Sequence, residues 1–177
     1  MGTYAFLMEV FMYQKDDYLV YKKDVCKVRE KRKNPLTGMD SYVLIPVYDN
    51  SLVIEVPVDN KMGFIRNVLS KEDALEFIKK IPEIPPLSDL DDRYIEKTYR
   101  ELLLHATMED LVVIIKTTYL RNKNRVENHK KISDKDQSFF QKAEEYLYNE
   151  LSIALGLGFD ETRDYIIEEA SKTVSNS

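Results

Sequence analysis

Between residues 17 and 57 apolar and polar positions alternate with a period near two. DYLVY (17–21), VCKVREKR (25–32), SYVLIPVY (41–48) and SLVIEVPV (51–58) are rich in β-branched and aromatic residues and are separated by turn chemistry. That is the signature of short strands. Pro35-Leu36-Thr37-Gly38 bounds one hairpin. Asp49-Asn50 supplies a two-residue turn for the next, because asparagine tolerates the positive φ of the primed turn types. Pro46 and Pro57 have no amide to give to a ladder, so they are expected at edges or bulges. Four or five such strands predict a small, partly open barrel, and its open edge is a natural surface for strand addition by a partner.

After residue 70 the period becomes helical. Ser70-Lys71-Glu72-Asp73 has the form of a capping box, followed by Ala74, Leu75, Ile78 and Ile81 on one face. Pro82, Pro85 and Pro86 then stop that helix. Ser88-Asp89-Leu90-Asp91 predicts a second cap, with a helix running to about His105, and Thr107-Met108-Glu109-Asp110 a third, opening the apolar run LVVIIKTTYL. Ser133 caps a long helix marked by Phe140, Ala143, Leu147, Leu151 and Ala154. Gly156 and Gly158 end it, and Asp160 opens a last helix with Ile166, Ile167 and Ala170. The pattern predicts an α+β chain: a β barrel, a connecting helix and an all-α helical bundle of four helices. Its parts are an N-terminal extension (1–11), a β module (12–67), a connecting helix with a proline-rich joint (68–86) and the helical domain (87–177).

Composition adds little to the fold and more to the function. With 44% hydrophobic residues, 12 Tyr and 7 Phe, the 177-residue chain can bury a core and is not disordered throughout. The single cysteine, Cys26, cannot form an internal disulfide. In the VCKV alternation it reads as a small strand residue, consistent with a reducing cytoplasm. No apolar run reaches the roughly 20 residues needed to span a bilayer, and MGTYAFLMEVF contains Glu9 and lacks a basic leader, so it is expected to be an extension or an upstream start.

Charge is distributed unevenly. Residues 1–83 hold 13 basic and 13 acidic side chains, so the net charge of −5 comes entirely from the second half. Within that half, residues 116–131 hold six basic groups against Glu127 alone, whereas 144–177 hold two basic and eight acidic. A cationic loop and an anionic end are therefore predicted on one domain. The cations at the end of this helix also suit its dipole, and Tyr119 among them reads as a core residue.

Catalytic signatures are missing from the sequence. His105 and His129 sit at a helix end and in a polar loop without a matching carboxylate and nucleophile, and there is no GxGxxG or GxxxxGK phosphate loop. The carboxylates at 89–92 have the composition of a hard-cation site, but acids are favoured in a helix first turn by the macrodipole in any case. The expectation is a protein with no enzymatic activity, no cofactor and no metal.

Two sets of segments resemble the CarD/CdnL family of bacterial transcription regulators. MYQKDDYLVY, DVCKV, SYVLIPVYDNSLVIEVPVDN and IRNVLSKEDALEFI are similar to its N-terminal module. YRELLLHATMEDLVVIIKTTYLR and HKKISDKDQSFFQKAEEYLYNELSIALGLGFDE are similar to its helical domain. The resemblance spans about residues 12–170 in order. It implies a Tudor-like (SH3-like) β barrel that binds the β subunit of bacterial RNA polymerase. It also implies a helical domain that touches promoter DNA through minor groove and backbone, largely without sequence specificity, near the upstream edge of the melted region. The chain is then expected to be a cytoplasmic monomer that modulates open-complex stability.

The polymerase-contacting positions implied by the resemblance fall at Lys31, Arg32, Lys33, Leu36 and Glu55, where the glutamate stands in a place some relatives fill with arginine. YKKDVCKV also lacks the proline and glycine usual after that tyrosine. Many relatives carry a wedging tryptophan at the start of the first bundle helix. This chain has none, and Leu87 and Leu90 are the apolar residues near that place. Arg93, Lys97, Arg121, Lys123, Arg125, Lys130 and Lys131 are the candidates for DNA contact. The missing tryptophan and the acids at 91 and 92 leave an alternative, a polymerase-binding adaptor that has lost the DNA contact.

Overall fold

Five strands are laid down by the alternating segment. They are β1 (Tyr18–Tyr21), β2 (Asp24–Lys33), β3 (Asp40–Pro46), β4 (Ile54–Pro57) and β5 (Ile65–Asn67). The computed structural model describes residues 12–88 and 91–175, and the chain divides into two units between Val68 and Leu69. In the first unit the strands form one antiparallel sheet in the order β4-β3-β2-β1-β5. The sheet is open, with β4 and β5 as its edges. Leu19, Cys26, Val28, Tyr42, Leu44 and Val56 supply its core, joined by Tyr13, whose ring meets that of Tyr42 edge-on at 5.7 Å.

Turn chemistry explains the connections. β1 and β2 are joined by Lys22-Lys23 alone, and Lys22 takes the left-handed φ of 58° that this tight turn requires. Between β2 and β3 the Asn34 side chain accepts from the amides of Leu36 and Thr37, and Gly38 turns the chain with φ 69°. The expected two-residue turn at Asp49-Asn50 does not form, and Asn50 keeps a negative φ. Instead the Asp49 carboxylate accepts from the Ser51 amide at 2.9 Å and hydroxyl at 2.6 Å. This local bond competes with the ladder, so β4 starts only at Ile54. Pro57 ends the edge strand β4, and Pro46 ends β3 where its pairing with β4 has already ceased.

The second unit holds, among the described residues, five α-helices and a short 3₁₀ turn. They are α1 (Lys71–Lys80), the 3₁₀ turn (Ile81–Glu83), α2 (Asp92–His105), α3 (Met108–Glu127), α4 (Asp134–Leu155) and α5 (Phe159–Ser175). Ser70, Asp91, Thr107 and Ser133 cap the first turns, and Gly156 closes α4 at φ 68°. The core draws on every helix: Phe77 and Ile78 from α1, Ile95 and Tyr99 from α2, Ile114 from α3, Leu147 and Leu151 from α4, Ile166 from α5. Emptying one such site, as in Leu151→Ala, costs about 2–5 kcal/mol. Three helix faces differ from expectation, the first on α4, where Phe139 and not Phe140 packs against the core. Phe77 rather than Leu75 is buried on α1, and Ile167 is exposed beside buried Ile166. No helix among the described residues is long and apolar enough to cross a membrane.

The proline-rich stretch belongs to the helical unit. Prolines at 82, 85 and 86 remove amides and leave carbonyls seeking donors. Lys116 on α3 supplies them: its ammonium donates to the carbonyls of Ile81, Pro82 and Ile84, the last at 2.6 Å. One residue on, the Thr117 hydroxyl accepts from the Leu87 amide at 2.9 Å. Burial pulls the Lys116 ammonium below its ordinary value. Residues 81–87 are thus fastened to α3 by two adjacent side chains.

Candidate functional site

On the β unit the candidate residues gather at the far end of β2 and its hairpin. Lys31, Arg32 and Lys33 are its last three residues, and Leu36 at the loop tip is 93% exposed. Glu55 lies on edge strand β4, and β3 runs between it and Arg32. The arginine reaches across, placing Nη2 2.8 Å from Glu55 Oε2 and Nη1 3.6 Å from Glu30 Oε1. Hydrogen bonding from Arg32 holds the Glu55 carboxyl below the ordinary glutamate range. Among the described residues Lys31 has only a long contact to the Met12 sulfur at 3.9 Å. The structure therefore brings together a glutamate and an arginine that the sequence offers merely as separate contact positions.

A second surface lies between the sheet edges. Tyr21, Met39, Val56, Met62 and Phe64 line a largely apolar groove of about 400 Å³. The Lys22 ammonium stands 5.0 Å from the Phe64 ring and 5.3 Å from that of Tyr21. Met62 and Phe64 carry no periodic signal in the sequence, because they sit in a loop. Cys26 is fully buried, and burial pushes its thiol up to about 12, which agrees with an inert strand residue.

On the helical unit the basic run takes a different form from the expected loop. α3 continues to Glu127, so Arg121, Lys123 and Arg125 project from a helix and only Lys130 and Lys131 stand beyond it. Tyr119, expected in the core, is 57% exposed. It falls outside the buried stripe of α3, which runs through Leu111, Ile114, Thr117 and Thr118.

Arg121 is the centre of an ion-pair network. Its Nη2 lies 2.8 Å from Asp92 at the start of α2, and its Nε 3.2 Å from Asp136 in the first turn of α4. Asp136 is 1% exposed and Arg121 27%. A buried carboxylate left alone is costly, so Arg121 is committed to Asp136. Burial and then the Asp136 charge push the neighbouring Tyr99 phenol well above its ordinary value.

The other candidate cations are held more loosely. Arg93 chelates the Asp91 cap, Lys97 faces Glu101 at 3.8 Å, and Lys123 faces Glu127 at 3.9 Å. All are exposed pairs of the kind that contribute little and exchange readily. Arg125 Nε donates to the Lys131 carbonyl at 2.8 Å. Leu87 packs against the helical core, and Leu90 lies outside the described residues. Among the described residues the large apolar group exposed at the start of α2 is Tyr94, with the Arg93 guanidinium 5.9 Å from its ring. Its place two residues after the acids gave no reason to single it out.

Among the described residues no cluster of His, Cys, Asp or Glu has the geometry to hold a metal ion. Asp91 and Asp92 are each turned to an arginine. No protein-family model matches this chain, and no curated protein matches it.

Proposed function

We propose that this protein is a non-enzymatic, monomeric transcription regulator of the CarD type. The β unit, read as a Tudor-like module, binds the β subunit of bacterial RNA polymerase, and the helical unit is presented to promoter DNA at the upstream edge of the melted region. The observation that carries the reading is the end of β2: three consecutive cations and an almost fully exposed Leu36 on an open antiparallel sheet. A solvent-exposed leucine held at the tip of an ordered turn suits a partner pocket. Such a regulator shifts the closed–open equilibrium only by binding one state better than the other. Tethering raises the local concentration of the helical unit, so weak backbone contacts through Lys123, Arg125, Lys130 and Lys131 suffice in a net-acidic protein.

The test is direct binding of the full chain to a purified β-subunit fragment, with Leu36→Asp and Lys33→Glu as variants. Both should weaken binding strongly while leaving the unfolding midpoint in place. Binding equal to that of the parent protein would refute the reading. The adaptor alternative is favoured by the network around Arg121, which removes that cation from the DNA-facing set, and by the acids at 91 and 92. If Leu36→Asp abolishes the effect on open-complex lifetime while Lys123→Ala with Lys131→Ala does not, the adaptor form holds.

A further inference from the structure

The end of the α2–α3 hairpin contains a concave pocket of about 410 Å³, lined by Asp92, Leu120, Arg121, Asn124, Arg125 and Lys130. Three cations face it against one lining carboxylate, and each is positioned by a contact of its own. Arg121 is clamped from behind by buried Asp136. Arg125, which lines the pocket, is oriented by its Nε bond to the Lys131 carbonyl. Lys130 is brought back over α3 because its amide donates to the Arg125 carbonyl at 2.8 Å, a fold that His129 permits by taking φ 58°. Nothing pairs the Lys130 ammonium among the described residues.

We infer that this pocket is a phosphate-binding site of nucleotide size, in which Asp92 occupies the anion position until a phosphate displaces it. The volume is well above that of a lone oxyanion and within the range of small-molecule sites. Leu120 provides an apolar wall beside the charges, as a nucleoside phosphate would need. Guanidinium groups already fixed in place lose little freedom when they bind phosphate oxygens in pairs. Asp92 is suited to leave: its side chain is 79% exposed, and because Asp91 is the cap, the α2 N-terminus does not depend on it. Arg121 cannot leave, since Asp136 would remain buried and unpaired. The site shares Arg125 and Lys130 with the DNA-facing set proposed above, and to that extent it rests on that reading. Its ligand chemistry, however, can be tested without polymerase.

The experiment titrates the full chain at low ionic strength with inorganic pyrophosphate, with ATP and with a short DNA duplex, following the backbone amide signals of residues 120–131 by NMR. Pyrophosphate and ATP should shift these signals saturably. Lys130→Gln, an exposed change that spares the loop backbone, should weaken pyrophosphate about tenfold, the worth of one charge-assisted contact. Asp92→Asn should tighten it several-fold, because the resident competitor is gone. A duplex that displaces pyrophosphate identifies the strand backbone as the source of the phosphate; ATP binding that the duplex leaves undisturbed identifies a free nucleotide. No shift with any probe, or equal affinity in parent and Lys130→Gln, would overturn the inference while leaving polymerase binding through Leu36 unaffected. Weaker binding in Asp92→Asn would overturn it as well.

Discussion

Arg32 in the β unit and Arg121 in the helical unit are each placed between two carboxylates, yet they do different work. Arg32 lies between Glu30 and Glu55 on the sheet surface, where Arg32 and Glu30 are nearly half exposed and Glu55, with its Oε1 buried, is 22% exposed, so water still reaches part of each group. Arg121 lies between exposed Asp92 and buried Asp136, so one of its two bonds compensates a charge that water cannot reach. The same residue type with the same partner count is a surface group in one unit and a structural pin in the other. What separates them is the burial of the partner. The basic run 116–131 divides in the same way: Lys116 is spent on the proline segment and the Nε side of Arg121 on Asp136, which leaves Lys123, Arg125, Lys130 and Lys131, with the Asp92-facing side of Arg121, for an external partner.

The comparison breaks most visibly at Arg121. Arg121→Ala should cost about 3–5 kcal/mol in urea unfolding, because it strands the Asp136 carboxylate. Arg121→Met combined with Asp136→Leu should recover most of that loss, and a double mutant no better than the single one would show that Asp136 is not the reason. Lys116→Met comes next, at about 2 kcal/mol for carbonyls that lose a charged donor. Hydrogen exchange should then rise at Ile84 and Leu87 ahead of the rest of the unit, and uniform exchange would argue against the fastening.

A smaller effect is expected at Glu96, which Lys135 at 2.6 Å and Arg100 hold down at about 2. The folded pKa is below the unfolded glutamate value of about 4.3, so the contribution of this group is complete above that value. It is lost as pH falls toward 2. Glu96→Gln should lower stability slightly at neutral pH, where the contribution is complete, and converge with the parent protein near pH 2, so that the acid side of its profile is flatter, which melts from pH 7 to pH 2 would check. The smallest effect is the other half of the comparison: Arg32→Ala should lower the unfolding midpoint only slightly, because Glu55 keeps some contact with water. A midpoint that falls as far as in Arg121→Ala would abolish the distinction between the two arginines.

Much of this was legible along the chain because it is local. Alternation marked the strands, Ser70, Thr107 and Ser133 marked helix starts within one residue, and Gly156 marked an end; each rests on bonds between residues no more than four apart. The turn at Asp49-Asn50 was misread for an equally local reason, since the Asp49 side chain bonded to Ser51 before a primed turn could form. The extent of α3 was hidden because Arg, Lys and Asn can follow a helix or continue it with nearly equal ease.

The sequence by itself determined that strands come first and helices second, where most of them start, and that the second half carries its charge unevenly. Periodicity, capping and composition are properties of neighbours. Only the tertiary structure decided which of those charges face outward. Arg121 meets Asp92 across 29 residues and Asp136 across 15, and Lys116 meets the Ile84 carbonyl across 32. Whether a cation serves a partner or the fold depends on what stands opposite it and how dry that place is, and packing alone fixes both.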